Sequence, residues 1–350
     1  MRRRLSKSRI VVVIVAALGL VATATWFGRA ESWPCGRLDR GGTCVSSTRL
    51  DVAALGLDPG TTRVDFRSFD LGPGARTALV GVTGRSGERY RTVLALFDAR
   101  TGAPIRVLRD LAGGPVSEGN GSSSAVDGAA FSPDGTRVVS WAWGTGTGGA
   151  IENDLRIQDT ANADVVTTLH QGSPLGVRPC AATVGLSPDN TQVQCADTVT
   201  DLASGTTRSL WDGSRRLTPR YAGFSGGYLA IAADGTLVEG GALERPDGGA
   251  RTPLTPRVTI ADEGISNYGF SPDGRYLFDA HAAYSANRGT RRITPAPFRT
   301  LSVIGIWNVR TARLERTLTL NDRYHQIAWS RDGSRFGIVT RDLDVQVFTR

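Results

Sequence analysis

Four arginines lie close together in one stretch of the sequence, and the guanidinium group is well suited to anion binding. They are Arg288, Arg291, Arg292 and Arg299, within SANRGTRRITPAPFR. A guanidinium presents several N–H donors in one plane, which matches the geometry of a carboxylate or a phosphate. We therefore predict that these arginines bind an acidic surface, a polyanionic wall polymer or lipid head groups. A solvated loop without a ligand is the alternative interpretation.

The three histidines, His170, His281 and His325, are far apart in the sequence and do not follow metal-ligand spacing. A metal ion or a proton-transfer centre needs several such groups to converge. His281 is expected just after a strand, and Asp279 lies near it. No further partner is evident, so the sequence predicts no catalytic residue, no metal and no cofactor.

Trp141 and Trp143 alternate with Ala142 in SWAWG, which predicts both indoles on one face of a strand. Such a pair would form a stacking platform for sugars, or it would pack between neighbouring sheets. The glycine-rich GTGTGG that follows lacks the GK[ST] of a phosphate-binding loop and favours a flexible connection.

Four cysteines, Cys35, Cys44, Cys180 and Cys195, predict two disulfides in an exported chain. Three pairings are possible, and the local ones are favoured by geometry. Cys180 and Cys195 bracket AATVGLSPDNTQVQ, a predicted hairpin that would place them nearly opposite on adjacent strands. Cys35 and Cys44 would close the short polar loop GRLDRGGT.

A tight turn recurs along the chain and indicates the elements that position these side chains. It appears in AFSPDGTRVV, GLSPDNTQVQ, GFSPDGRYLF and AWSRDGSRFG. Pro presets φ for a type I turn, Asp bonds nearby backbone N–H groups, and Gly accepts the left-handed conformation that follows. Apolar runs flank each copy, so each turn joins two antiparallel strands. This turn is termed the corner below.

Two weaker copies, GPGA and FSGG, extend the series. Corners then begin near residues 72, 132, 187, 225, 271 and 330. A spacing of roughly fifty residues is typical of one supersecondary unit carrying insertions of different lengths. Third strands follow the corners at VLALFDARTG, DLRIQDTANA and IGIWNVRTAR, and fourth strands follow at PIRVLRDL, DVVTTLH and RLERTLTL.

Four antiparallel strands per unit, repeated around a ring, predict an all-β fold, the β-propeller. SPDG, a strand such as IGIWNV and a TG-like turn resemble the WD-repeat and TolB-like propeller families, over about residues 46–350. The sequence departs from the WD-repeat pattern, since Asn308 occupies the position of the family's Asp. The resemblance implies an architecture and little about activity, because such propellers host many functions.

The last unit ends on its third strand, LDVQVFT, and therefore lacks a fourth. A bare strand edge invites aggregation. We expect the segment 47–57, STRLDVAALGL, to supply the outer strand of the last blade and close the ring. Six corners then predict six blades, and seven is the alternative if residues 110–127 contain a degenerate unit.

Alternating strand directions sort the connections onto two faces. The corners lie on one face, and five long connections lie on the other, which is termed the long-loop face below. These connections are 111–126, 144–153, 170–180, 212–220 and 285–299. Binding functions usually reside in long loops on a rigid scaffold. We therefore expect a protein or cell-envelope partner on the long-loop face.

The N-terminus predicts export. MRRRLSKSR carries five basic residues, and the uncharged run at residues 10–27 is about long enough to cross a bilayer. Basic residues stay in the cytoplasm, so residues 1–9 are expected inside and the bulk of the chain outside. The alternatives are an uncleaved anchor and a signal peptide cleaved after Ala22-Thr23-Ala24. Residues 28–45 would link this segment to the propeller at 46–350.

The net charge of +8 is mostly due to that N-terminal cluster, because removing its five basic residues leaves +8 − 5 = +3. Nucleic acid is therefore not an expected partner. Two functions remain from the sequence. One is a monomeric, membrane-anchored propeller that binds or assembles partners, and the other is a propeller hydrolase or lyase acting on a cell-envelope polymer. A sensor ectodomain is less favoured because only nine residues would face the cytoplasm.

Overall fold

A computed structural model describes residues 44–350, apart from residues 62, 116–123, 146–150, 171–183, 188, 196–197, 210–223, 227–228, 233–235, 240, 246–250, 255–265, 284–300, 321–323 and 341. Within this part of the chain the helical elements are three short 3₁₀ turns, at Ala53–Leu55, Pro59–Thr61 and Pro73–Ala75. None of the helices described here is long and apolar enough to cross a membrane. The predicted membrane segment, residues 10–27, lies outside the described residues.

The described residues form 25 strands in six separate sheets, which confirms the all-β prediction. Sheet 1 contains β2 (Arg63–Leu71), β3 (Thr77–Ser86), β4 (Arg89–Asp98) and β5 (Pro104–Pro115). Sheet 2 contains β6 (Ser124–Phe131), β7 (Arg137–Thr145), β8 (Ile151–Asp159) and β9 (Val165–His170). Sheet 3 contains β10 (Val184–Leu186), β11 (Gln192–Cys195), β12 (Thr198–Asp201) and β13 (Thr207–Ser209).

The remaining sheets follow in chain order, except that the first strand of the chain belongs to the last sheet. Sheet 4 contains β14 (Phe224–Gly226), β15 (Leu229–Ile231), β16 (Leu237–Glu239), β17 (Ala242–Glu244) and β18 (Thr252–Pro253). Sheet 5 contains β19 (Ser266–Phe270), β20 (Tyr276–Ala283), β21 (Leu301–Asn308) and β22 (Arg313–Leu320). Sheet 6 contains β23 (Tyr324–Trp329), β24 (Arg335–Thr340), β25 (Asp344–Thr349) and β1 (Cys44–Arg49).

Five of the six sheets are four-stranded and antiparallel, the repeating unit of a β-propeller, and four of them are meanders of consecutive strands. The predicted third and fourth strands are confirmed as β4, β8 and β21 and as β5, β9 and β22. Sheet 4 differs, since it has five strands and none is longer than three residues.

Apolar side chains from consecutive sheets form shared cores, as expected for blades packed around an axis. Phe131 of sheet 2 packs with Leu94 of sheet 1, and Trp141 of sheet 2 packs with Val184 of sheet 3. Similar clusters join sheets 4 and 5, sheets 5 and 6, and sheets 6 and 1. The propeller architecture therefore follows from the packing of the sheets.

The two ends of the described chain meet in sheet 6. β1 pairs antiparallel with β25, from Cys44 opposite Phe348 to Arg49 opposite Asp344. This is the predicted closure by an N-terminal strand, although the strand ends at Arg49 instead of continuing through residue 57. The segment that follows packs between sheets 6 and 1, where Leu50, Val52, Leu55 and Leu57 are all buried. Their side chains fill the core between the two sheets, and residues 50–57 are termed the plug segment below.

The corner predicted near residue 225 is not the one that matches the repeat. FSGG begins in the extra strand β14 and leads into the connection between β14 and β15, which pair antiparallel, as predicted. The turn that matches the corners of the other sheets lies further on, between β15 and β16. There the Ala232 N–H donates to the Thr236 carbonyl at 2.8 Å, much as the Ser132 N–H donates to the Arg137 carbonyl at 2.8 Å in sheet 2. Both alanines in AADG replace the Ser and Pro of the repeat, which conceals this corner in the sequence.

The corners also contact one another around the ring. A Cβ placed on Gly135 of sheet 2 would lie 2.6 Å from Cδ of Pro73 in sheet 1. Asn190 Nδ2 of sheet 3 donates to Asp134 Oδ2 of sheet 2 at 3.4 Å. Between sheets 6 and 1, Arg335 Nη1 donates to the Gly74 carbonyl at 3.2 Å. The repeated turn therefore joins neighbouring blades as well as neighbouring strands.

Candidate functional site

The predicted binding arginines belong to the connection between β20 and β21. Arg288, Arg291, Arg292 and Arg299 lie outside the described residues. The two strands that carry them are paired along their full length, from Tyr276 opposite Asn308 to Ala283 opposite Leu301. Both ends of the insertion are thus held side by side on one rigid hairpin.

This insertion is exceptional among equivalent connections. In sheet 1 the second-to-third connection is residues 87–88, and in sheet 6 it is residues 341–343. The corresponding connection in sheet 2 is residues 146–150, whereas in sheet 5 it is residues 284–300. The connection in sheet 5 is therefore much longer than the two or three residues that join the equivalent strands of sheets 1 and 6. Segments of this length beyond the scaffold's needs are commonly functional.

The antiparallel pairing supports the sorting of four long connections onto the long-loop face. The fifth, at 212–220, lies outside the described residues, and the strands on either side of it place its two ends on opposite faces. β14 runs antiparallel to β15, with Phe224 opposite Ile231 at the end near the corner. The connection 210–223 therefore leaves β13 on the long-loop face and enters β14 on the opposite face. The extra strand of sheet 4 is the physical reason for this change.

Two arginines on the described rim of the long-loop face, Arg91 and Arg85, lie close to carboxylates. Arg91 Nε and Nη2 donate to the Asp110 carboxylate at 2.6 and 2.5 Å, and Arg91 Nη1 donates to the Leu55 carbonyl at 2.7 Å. The hydrogen bond to Asp110 raises the pKa of Arg91. Arg85 Nε lies 4.0 Å from Asp58 Oδ2. These contacts hold the plug segment against sheet 1.

A second set of charges lies buried between sheets 1 and 2. Arg109 is 3% exposed, and its Nη2 donates to Asp154 Oδ1. Arg156 Nε donates to the other oxygen of Asp154 at 2.8 Å. Burial lowers the pKa of Arg109, and the charge of Asp154 opposes that effect. A fully enclosed pair of this kind fixes the relative position of two blades and is not accessible to a ligand.

A third set lies where sheets 1, 2 and 6 meet. Asp70 accepts hydrogen bonds from the Leu71 N–H at 2.9 Å, the Phe131 N–H at 2.8 Å and Arg331 Nη2. Burial raises the pKa of Asp70, opposed by the charge of Arg331. The sequence gives one sign of this role, because Arg331 occupies the position that Pro holds in four other corners.

The other candidate residues do not converge. His170, His281 and His325 belong to three different sheets, and His281 lies within β20 instead of after a strand. Trp141 is fully buried in the core between sheets 2 and 3, so this indole packs between sheets. Trp143 Nε1 donates to Asp127 Oδ2 at 2.7 Å. Within the described ranges, no group of three His, Cys, Asp or Glu residues is placed to hold a metal ion.

Two cysteines lie within the described residues, and neither Cys44 nor Cys195 carries a free thiol. Cys35 and Cys180 lie outside that part of the chain. The register of the β10–β11 hairpin places Val184 opposite Cys195. Cys180 lies outside the described residues, so its predicted disulfide with Cys195 stays a prediction.

Comparisons with known proteins add a structural likeness only. No protein-family model matches the chain, and no curated protein matches it. Among solved structures, a chain from the crystal structure of the mitotic checkpoint complex is similar at 13% identity with a TM-score of 0.44. The match covers 90% of this chain and 93% of that chain. At this level the likeness carries no functional inference, and the propeller architecture rests on the sheets themselves.

Proposed function

We propose that the chain is a membrane-anchored, extracytoplasmic β-propeller that binds a protein or cell-envelope partner through its long-loop face. The observation that carries this proposal is the insertion 284–300 and the rigid pairing of the strands on either side of it. Arg288, Arg291, Arg292 and Arg299 would supply the anion-binding groups of that insertion. A propeller suits this role because its loops are displayed on a scaffold that does not rearrange.

The proposed ring has six blades. Sheet 4 would count as a blade like the other five sheets, since its corner packs against the corner of sheet 5 as the corner of sheet 5 packs against that of sheet 6. A Cβ placed on Gly274 of sheet 5 would lie 3.9 Å from Cβ of Ala232 in sheet 4, and one on Gly333 of sheet 6 would lie 3.6 Å from Cδ of Pro272 in sheet 5. The extra strand β14 would occupy the inner edge of this blade.

The proposed topology keeps residues 1–9 in the cytoplasm and uses residues 10–27 as an anchor. A positively charged segment before an uncharged apolar run supports this orientation. Disulfides Cys35–Cys44 and Cys180–Cys195 would form in the oxidising compartment outside, and the absence of free thiols at Cys44 and Cys195 is compatible with them. If the signal is cleaved after residue 24, the same propeller would be secreted.

A loop-replacement experiment tests the binding role. Residues 284–300 are exchanged for a Gly-Ser segment of the same length, and the full chain is cross-linked to the envelope fraction. The expected result is loss of the cross-linked partner bands with an unchanged thermal unfolding temperature. The matched control exchanges residues 146–150 on the same face. Retention of every partner band in both replacement variants would show that the long-loop face is not the binding surface.

A further inference from the structure

A second charged surface lies on the opposite face, where the corners are. A cavity of about 810 Å³ opens between sheets 4 and 5. Three arginines line it, and each comes from a different turn: Arg245 after β17, Arg275 in the corner of sheet 5, and Arg310 between β21 and β22. We term this feature the arginine cleft.

The guanidinium groups of the arginine cleft have few internal partners. Among the described residues, Arg245 Nη2 donates to the Arg310 carbonyl at 3.3 Å, and this is the one hydrogen bond made by either of these two side chains. Arg275 is 77% exposed, and its Nε lies 3.9 Å from Asp273 Oδ2. The cleft arginines therefore differ from Arg91 and Arg109, whose charges are used to hold the fold together.

Among the described residues that line the arginine cleft, Asp273 is the one carboxylate beside three arginines. That carboxylate is partly committed to its own corner, because its Oδ1 accepts from Ser271 Oγ at 2.5 Å and from the Arg275 N–H at 3.1 Å. The described lining therefore has an excess of positive charge, and an anion entering it would gain electrostatic attraction.

The turns that line the cleft are held in place by their own hydrogen bonds. Asn308 Oδ1 accepts from the Thr311 N–H at 3.2 Å, and Asn308 Nδ2 donates to Glu315 Oε1 at 2.8 Å. Leu243 and Ala312 are buried and add apolar atoms to the lining. A ligand that combines negative charges with short apolar groups would match this surface.

We propose that the arginine cleft binds an acidic peptide segment of a partner protein. Side chains of Asp or Glu would pair with Arg245, Arg275 and Arg310, and an intervening apolar residue would contact Leu243 and Ala312. Arginines on three separate turns suit carboxylates spaced along a chain better than a single phosphate. Clefts of several hundred Å³ are large enough to enclose such a segment. This site is independent of the long-loop face.

Fluorescence anisotropy of a labelled peptide tests the proposal. The probe is fluorescein-labelled Glu-Leu-Asp-Glu-Leu-Asp, and its neutral counterpart is Gln-Leu-Asn-Gln-Leu-Asn. We expect the full chain to bind the acidic probe and not the neutral one. The variant Arg245→Gln/Arg275→Gln/Arg310→Gln should bind about tenfold to a hundredfold more weakly, because exposed ion pairs are individually weak and three are removed.

The matched control is Arg76→Gln/Arg208→Gln/Arg313→Gln, which makes the same change in net charge at exposed arginines that do not line the cleft. Circular dichroism confirms that both variants fold. Equal weakening in the two variants would overturn the proposal, since it would show nonspecific attraction. Polyphosphate is the second probe, and tighter, cleft-dependent binding of polyphosphate without peptide binding would overturn the peptide assignment. Peptide binding that survives replacement of residues 284–300 would confirm that the two surfaces are separate.

Discussion

The two faces of the ring are built in opposite ways. On the corner face, the same short turn recurs, and each copy contacts the next, as Gly135 contacts Pro73 and Asn190 contacts Asp134. On the long-loop face, equivalent connections range from residues 87–88 in sheet 1 to residues 284–300 in sheet 5. The corner face therefore repeats one short turn, whereas the connections on the long-loop face differ in length from sheet to sheet.

This difference indicates that the residues that stabilise the fold and the residues that bind a partner lie in different parts of the sequence. The corner residues are engaged with one another: Ser132 Oγ donates to Asp134 at 2.5 Å and accepts from the Arg137 N–H at 2.9 Å. Substitutions there should change stability. Residues of the inserted loops lie beyond the last paired residues of the strands, so substitutions there should change binding. The predictions below test that separation, from the largest expected effect to the smallest.

Gly102→Ala should cause the largest loss of stability, because this glycine lies against the closing strand. It has φ of +73°, and an added Cβ would lie 2.0 Å from the Arg49 carbonyl oxygen. We expect a loss of about 3 kcal/mol in the free energy of unfolding, from backbone strain together with the clash. Urea denaturation measures this value.

Gly205→Ala is the matched control for that substitution. Gly205 occupies the equivalent turn of sheet 3 with φ of +70°, and nothing lies within 4 Å of its added Cβ. Only the backbone strain remains, so the loss should be about 1 kcal/mol. Equal losses in the two variants would show that contact with the closing strand contributes nothing.

Ser330→Ala should have the next largest effect. Ser330 is fully buried, and its Oγ donates to Asp332 at 2.6 Å and accepts from the Arg335 N–H at 3.0 Å. Losing both bonds should cost about 1–2 kcal/mol in the free energy of unfolding. Ser334→Ala removes an exposed hydroxyl that donates to the same aspartate at 2.9 Å, and it should cost about 0.5 kcal/mol or less. A reversed order of these two losses would contradict the structural role of the corner.

The corner aspartates should make stability fall in acid. Burial of Asp134 and Asp332 opposes the effect, but hydrogen bonds from Ser132 and Ser330, among others, lower the pKa of both carboxyls. A lowered pKa in the folded state adds stability above the unfolded value of about 3.9, and this stability is lost as the pH falls further.

The variant Asp134→Asn/Asp332→Asn tests that pH dependence. It should show a shallower decline in unfolding free energy between about pH 4 and pH 2 than the parent chain. Asp70 must stay intact, because burial raises its pKa and its contribution has the opposite sign. Parallel pH profiles for variant and parent would show that these two carboxyls do not govern the acid limb.

The smallest effect on stability is expected for the four loop arginines. Replacing Arg288, Arg291, Arg292 and Arg299 by Gln should change the unfolding free energy by about 0.5 kcal/mol or less, since surface substitutions away from packed features are nearly neutral. The same variant should lose the partner captured by the parent chain. A large destabilisation with intact capture would place these residues in the architecture instead.

The sequence predicts the parts of the fold that repeat. Corners at residues 72, 132, 187, 271 and 330 match the structure because each contains at least two of the turn-forming residues Pro, Asp and Gly, which act locally. The corner of sheet 4 was not predicted from the sequence. Ala232 replaces the serine, and a better-looking FSGG lies seven residues before it.

Features that depend on tertiary packing were not accessible in the same way. The alternation in LDVAALGL suggests a strand, yet Leu50, Val52 and Leu55 are buried as a plug between sheets 6 and 1. The arginine cleft was also missed, because Arg245, Arg275 and Arg310 are distant in sequence and meet only when two sheets pack together. Charged residues that are close together in the sequence can be recognised from the sequence, whereas residues that come together only in space can be recognised only from the structure.

Hydrogen exchange on β25 tests the closure of the ring most directly, and both faces are defined by that closure. Amides of β25 that point towards β24 should be protected in any folded form. If β1 pairs with β25 as described, the alternate amides that point towards β1 should be protected to a similar degree in the full chain. Rapid exchange of that alternate set, with protection retained on the β24 side, would show that the N-terminal strand does not close the ring.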